Sequence, residues 1–267
     1  MSEKKQVERY KSGRKKKGHS SYILLYIFLG LLAIITLVVL SLTVFFPIKT
    51  VKVSGKNPYN SEQIIESANI KMNTNLFTSD VSQVEGNITK QLPYIKSVKI
   101  SRRFPSTIVL NVETAEVYLQ IEQGGKYIFI DDNAKCLEIS SKINKNAPLV
   151  RTAKSVEAQV GKTVKFSEYD GYFDTLCSIL SSCKKHELDI TVLNVSNKSS
   201  VWATYNNKIV LMFGSSANID EKLEFAKGVV NSRKNNDETG TLNLSRIPNT
   251  KNQASFISSE LTSEQKR

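Results

Sequence analysis

The run of residues 22–46, YILLYIFLGLLAIITLVVLSLTVFF, has no charged side chain and offers Leu, Ile, Val and Phe in every helical register. At about 1.5 Å per residue it is roughly 37 Å long, enough to cross a hydrocarbon layer of ~30 Å with some tilt. A cleavable signal peptide would have an apolar region of only about 7 to 15 residues, ending at small side chains. Here the run continues through Val44, Phe45 and Phe46 to Pro47. The pattern predicts an uncleaved transmembrane helix.

Beyond the span the period changes. Val51 and Val53 alternate with polar neighbours before Gly55 and Pro58, which reads as a half-buried strand and a turn. A helix is expected to start near Asn60 or Ser61 and turn Ile64, Ile65 and Ala68 inward. A second is expected from the stripe Val81, Val84, Ile88 and Leu92, ending at Pro93. Val98 and Ile100, then Ile108, Leu110 and Val112, give two more alternating strands. Residues 47–116 therefore read as a βααββ unit with two helices on one face of a small sheet.

From Val117 the chain turns to short strands, expected at 118–121, 127–130, 136–139, 190–195, 201–205 and 209–213. Gly124-Gly125, Asp131-Asp132-Asn133 and Asn206-Asn207 stand between them as turn chemistry. Helices are expected near 167–186 and 219–232, the latter with Asn218 and Glu221 close to a capping box, and a last strand at 241–244. Residues 117–246 thus form a mainly antiparallel β domain with two helices. The class is α+β throughout the soluble part. Residues 247–267 are polar with little periodicity, which predicts a disordered tail.

Charge settles orientation rather than ligand class. Residues 1–21 carry eight Lys and Arg against two Glu, half of the net charge of +12, and the rest of the chain is only mildly basic. Arg14, Lys15, Lys16 and Lys17 beside the span hold this tail in the cytoplasm, so the soluble domains are expected outside the plasma membrane. The same cluster would touch anionic headgroups, and nucleic-acid binding is not expected.

The residues give little catalytic chemistry. Cys136, Cys177 and Cys183 make an odd count, and six residues of helix, about 600° of rotation, put Cys177 and Cys183 on different faces. A disulfide framework is therefore not expected. His19 and His186 are the only histidines. Thr175-Leu176-Cys177 has a likeness to the sortase nucleophile segment, but there the Cys lies two residues further on, with the His before it. Asp131 and Asp132 fit a hairpin turn better than a metal site. Trp202 reads as a cross-strand aromatic before it reads as an interface anchor. With no Walker loop, dinucleotide glycine motif or paired Cys or His spacing, neither a cofactor, a metal nor an enzyme activity is expected.

Several segments together resemble the FtsQ/DivIB family of bacterial cell-division proteins. The basic tail, the span and Phe46-Pro47-Ile48 leading into Val51-Lys52-Val53-Ser54-Gly55 resemble the start of that family's POTRA domain. Asn75-Leu76-Phe77, Leu92-Pro93-Tyr94-Ile95 and above all Arg102-Arg103-Phe104-Pro105-Ser106-Thr107-Ile108 resemble its later turns. Tyr127-Ile128-Phe129-Ile130-Asp131, Ala147-Pro148-Leu149-Val150, Lys222-Leu223 and Gly240-Thr241-Leu242-Asn243-Leu244-Ser245 resemble segments of its β domain. Glu116 and Asn243 depart from the family's usual Pro and Asp.

The resemblance implies a non-enzymatic scaffold that joins FtsL and FtsB/DivIC-type proteins and helps recruit or regulate the septal peptidoglycan synthase complex at the septum. It also implies partner binding at the far end of the β domain. Strand addition to an exposed sheet edge is the expected mode, with Thr241, Leu242, Asn243, Leu244 and Ser245 as the edge or, equally on alternation alone, Leu242 and Leu244 as ordinary core residues and a neighbouring strand as the edge. A membrane-anchored sortase-like transpeptidase and a POTRA-type export or assembly module are the rival readings.

Overall fold

A computed structural model describes residues 20–167, 171–232, 238–248 and 254–267. Helix α1, Ser20–Phe45, contains the apolar run, and its Tyr22–Ser41 segment is buried by no other part of the protein. Its 26 residues span about 39 Å at the α-helical rise. Thr36 donates its hydroxyl to the Leu32 carbonyl at 2.8 Å, so this polar side chain is satisfied within the helix itself.

By packing, the chain divides into two compact units. One comprises Met1–Thr50, Lys71–Ser79 and Arg102–Thr107, and the other comprises Val51–Ile70, Asp80–Ser101 and Ile108–Arg267.

The βααββ order is present as β1 (Thr50–Ser54), α2 (Ser61–Ala68), α3 (Val84–Gln91), β2 (Ile95–Arg103) and β3 (Thr107–Thr114), with sheet order β1-β3-β2. Helix α2 starts where the sequence places it. Asn60 accepts from the Gln63 amide at 2.8 Å, and the Gln63 side chain accepts from the Asn60 amide at 3.1 Å, a reciprocal capping box. Ile64, Ala68, Val84, Ile88, Leu92, Val98, Ile108, Leu110 and Val112 are buried as expected, while Ile65, Ile100 and Val81 are half-buried and Val81 lies before α3, which starts at Val84.

The β-rich part has strands β4 (Leu119–Gln123), β5 (Lys126–Ile130), β6 (Cys136–Ser140), β7 (Leu149–Arg151), β8 (Val156–Glu157) and β9 (Lys165–Phe166). Helix α4 (Tyr172–Lys185) follows, then β10 (Ile190–Asn194), β11 (Val201–Tyr205), β12 (Ile209–Gly214), α5 (Ile219–Ser232), β13 (Gly240–Asn243) and β14 (Ser255–Ser258). Nine of the strands make one sheet in the order β14-β13-β12-β11-β10-β7-β4-β5-β6. Five of its neighbour pairings are antiparallel, and β12–β13, β10–β7 and β4–β7 are parallel. Each parallel step needs a crossover, and α4 and α5 supply two of them. Leu176, Ile179 and Leu180 of α4 and Leu223, Ala226 and Val230 of α5 enter one core with Ile121, Leu193, Leu211 and Leu242 of the sheet.

Two expectations need correction. The segment 247–267 was expected to be disordered, yet its described part forms β14 and continues across the sheet. Leu261 is buried, Thr204 donates to the Gln265 carbonyl at 2.9 Å, and Arg151 donates to the Glu264 carbonyl at 3.0 Å. The Arg267 guanidinium donates to the carbonyls of Lys145, Asn144 and Ala147. A polar segment without periodicity is ordered here because the folded domain supplies its hydrogen-bond partners, which local pattern does not report. The second correction follows from the first: β13 is an interior strand, and β14 is the edge.

Gly55 ends β1 at φ +103°, and a Cβ there would lie 2.2 Å from the Val112 carbonyl oxygen. Gly55→Ala combines a disallowed backbone with a backbone clash, so thermal unfolding of the detergent-solubilised chain should show a loss of more than about 2 kcal/mol.

At the α4–α5 contact Asp220 accepts from Lys185 at 2.5 Å and from His186 at 3.1 Å, and these bonds hold its carboxyl below its ordinary value of 3.8. A carboxylate lowered by folding stabilises fully above its unfolded pKa, and the contribution disappears as pH falls through the lower folded value. Asp220→Asn should therefore melt below the parent chain at neutral pH, with the difference in Tm shrinking as pH falls below the ordinary carboxyl value of 3.8.

Candidate partner interface

Strand β13 lies between two neighbours. It pairs in parallel with β12, where the Gly240 amide donates to Lys208 at 3.2 Å and the Leu244 amide to Met212 at 2.8 Å. Backbone direction alternates along a strand, so the amides of Thr241 and Asn243 face the other side. That side holds β14, in the register Gly240↔Ser258, Thr241↔Ile257, Leu242↔Phe256 and Asn243↔Ser255. The bond from the Ser259 amide to the Thr239 carbonyl at 3.2 Å continues this alternation.

Side chains follow the same period. Leu242 and Leu244 are fully buried in the core, Thr241 is half-buried, and Asn243 and Ser245 are exposed. Asn243 accepts from the Ser245 amide at 3.0 Å and from its hydroxyl at 2.7 Å, which turns the chain just beyond the strand. The buried leucines are thus anchors, Asn243 and Ser245 face outward, and the backbone side away from β12 is covered by β14.

Strand β14 is short but closely seated. A Cβ on Gly240 would stand 2.5 Å from the Ile257 carbonyl oxygen and 2.6 Å from the Phe256 ring. Phe256 packs against the domain core, whereas Ile257 is 63% exposed. Sequence reasoning missed this strand. Its signal was the pair Phe256-Ile257 within an otherwise polar stretch, too short for periodicity to register.

The remaining candidates fall into structural roles. Asp131 is buried and accepts from the amides of Asn133 and Lys135 at 2.9 and 2.8 Å, so it organises the β5–β6 turn. Asp132 pairs with Lys96 at 2.7 Å. Among the described residues no group of three His, Cys, Asp or Glu is arranged to hold a metal ion. Trp202 is half-buried between Asn194 and Met212 on neighbouring strands.

Cys136, Cys177 and Cys183 are free thiols, and burial pushes them up to about 11, 11 and 12. A thiol held this high is protonated at neutral pH and lacks the thiolate a nucleophile needs. His186 is engaged with Asp220. An open cleft of about 760 Å³ carries Lys96, Glu113, Asp132, Lys184, Glu187 and Asp189, charges of both signs without a convergent set. Arg14, Lys15, Lys16 and Lys17, with His19, lie outside the described residues.

The chain is similar to known proteins over most of its length. Residues 46–113 match the POTRA domain of FtsQ type. The cell division protein DivIB of Clostridium acetobutylicum is 30% identical over 203 residues, covering 75% of this chain and 80% of that relative. DivIB of Clostridium tetani is 29% identical over 191 residues, 70% of each chain. The cell division protein FtsQ of Streptomyces venezuelae is 33% identical over 87 residues, covering 33% of this chain and 32% of its own. With its POTRA unit followed by the mixed β domain, this chain belongs to the DivIB/FtsQ family of cell-division proteins.

Proposed function

We propose that this protein is a non-enzymatic, single-pass scaffold of cell division that binds other membrane proteins of the division machinery through the β13–β14 end of its large sheet. The partners are proteins of the FtsL and FtsB/DivIC type, and through them the septal peptidoglycan synthase complex is recruited or regulated. Helix α1 anchors the chain in the plasma membrane. The basic N-terminal tail, with Arg14, Lys15, Lys16 and Lys17, stays cytoplasmic and the soluble domains face the side where wall is made. Family membership supports the general role, since its members are generally non-enzymatic division proteins.

One observation carries the choice of surface. The nine-stranded sheet ends in a four-residue strand whose exposed Ile257 adds little burial, while the strand beneath it is fixed by the buried Leu242 and Leu244. An edge strand with few buried side chains of its own opens at lower free energy than the strands it rests on. An incoming strand that takes the position of β14 would find the amides of Thr241 and Asn243 already aimed at it, so backbone bonds supply affinity and alternate side chains supply selectivity. Thr241, Leu242, Asn243, Leu244 and Ser245 are therefore the proposed partner-binding residues.

The arrangement predicts a substitution with an internal control. Asn243→Pro removes the amide on the partner side and should lower copurification of division membrane partners by at least about tenfold, whereas Asn243→Ala should leave it near the parent level. Circular dichroism and melting of both variants report the fold. Full partner capture by a folded Asn243→Pro chain would reject this surface.

A further inference from the structure

The compact unit that contains α1 also contains two loops distant in sequence, and their aromatic side chains gather near the end of the helix. Phe46, directly after α1, stands edge-on to Phe77 at 5.3 Å between ring centroids and to Phe104 at 6.1 Å. Phe77 and Phe104 are 5.1 Å apart. The cluster is held by backbone bonds: the Leu76 amide donates to Phe46 at 2.8 Å, the Ile48 amide to Thr74 at 2.8 Å, and the Asn73 amide to Ile48 at 2.9 Å. Arg102 ties the third segment in, donating to the carbonyls of Leu76 at 2.7 Å and Ser79 at 3.1 Å. Ile48 and Leu76 are fully buried beneath it.

A cluster built only for stability would hide its rings, and this one does not. Phe104 is 63% exposed, Phe77 42%, Met72 45%, and Phe45 at the helix end 70%. Aromatic side chains gathered on a surface and left in water mark an interaction site rather than a core. The charge around them has one sign. The three segments 46–50, 71–79 and 102–107 contain Lys49, Lys71, Arg102 and Arg103 and not one Asp or Glu. Aromatic rings at the level of the headgroups with basic side chains among them are the chemistry that suits the interface of an anionic bilayer.

We propose that Phe45, Phe46, Met72, Phe77 and Phe104 form a lipid-docking surface that enters the membrane interface at the extracytoplasmic end of α1, with Lys49, Lys71 and Arg103 on anionic headgroups. The occupant is lipid because the surface is continuous with a helix whose own flanks suit hydrocarbon, and because the segments 46–50, 71–79 and 102–107 that carry its cations contain no Asp or Glu. The inference rests on the reading that α1 spans the membrane with the soluble domains outside. It extends that reading by making the membrane contact a feature of the folded loops 71–79 and 102–107 as well as of the helix.

The test uses the full chain in nanodiscs of phosphatidylcholine and phosphatidylglycerol, with Trp202→Phe as background and Phe104→Trp as the reporter. Lipids brominated in the upper acyl chain should quench the reporter and its emission should be blue-shifted. Both effects should weaken when phosphatidylglycerol is replaced by phosphatidylcholine. Adding Phe77→Ser to the reporter chain should shift its emission back toward that of water. Leu32→Trp, in the middle of α1, should be quenched by bromine near the acyl-chain end. If Leu32→Trp is quenched and Phe104→Trp is not, the loops stay in water and the docking surface is rejected while the anchor stands. If neither is quenched, the anchor reading fails as well. A Phe104→Trp emission that shifts only after a division partner is added would assign the surface to protein and also reject the proposal.

Discussion

An uncharged helix with Leu, Ile, Val and Phe on every side has no face that can rest against water. Burial within the protein would be one solution, but the folded domains cover none of the α1 segment Tyr22–Ser41. Hydrocarbon is the other, and there the internal backbone bonds of a helix leave no polar group unsatisfied. The rest of the molecule is arranged around this constraint. A chain held by such an anchor is confined to two dimensions, and on the proposed reading its soluble part serves as a surface for neighbours.

Within the larger compact unit the βααββ strands and the β domain share a small packed contact. The strand β2 end meets the β5–β6 hairpin through Tyr94 donating to Glu138 at 2.8 Å, the Lys96–Asp132 pair at 2.7 Å and Lys135 donating to the Ile95 carbonyl at 2.9 Å. Beneath these lie Ala115, Phe129 and Leu137, with Tyr94, Val117 and Tyr127 packed against them. Burial pushes the Lys135 ammonium down and the Tyr94 phenol up, the direction expected for polar groups withdrawn from water between two packed surfaces. The βααββ strands and the β domain therefore meet through a packed contact as well as through the chain that joins them.

How far the sequence could be read depended on what each element rests on. Helix α5 matches its expected limits because Ile219, Leu223, Ala226 and Val230 repeat at helical spacing, and α2 is located by Asn60 and Gln63, which cap it without outside help. The strands β4 to β6 and β10 to β12 were visible from alternation and turn residues. Strand β14 was not, because Ser255-Phe256-Ile257-Ser258 is ordered by an edge that another strand provides. The candidate interface suffered the same blindness. The sequence shows that Leu242 and Leu244 share a face but not which neighbours flank their strand, so alternation could not decide whether that strand or a neighbour was the edge, and the structure gives the edge to β14. The aromatic tip was equally hidden, since Phe46, Phe77 and Phe104 are far apart in sequence and come together only through the fold.

The central claim is that the β13–β14 end of a membrane-anchored chain is where division partners attach. A photoreactive amino acid in place of the exposed Asn243, activated in dividing cells, reads that surface directly. The account predicts adducts with membrane proteins of the division machinery, formed at the septum and absent when the same group is placed at exposed Val160. Adducts lacking any division protein, from a chain that still folds and reaches the membrane, would contradict it.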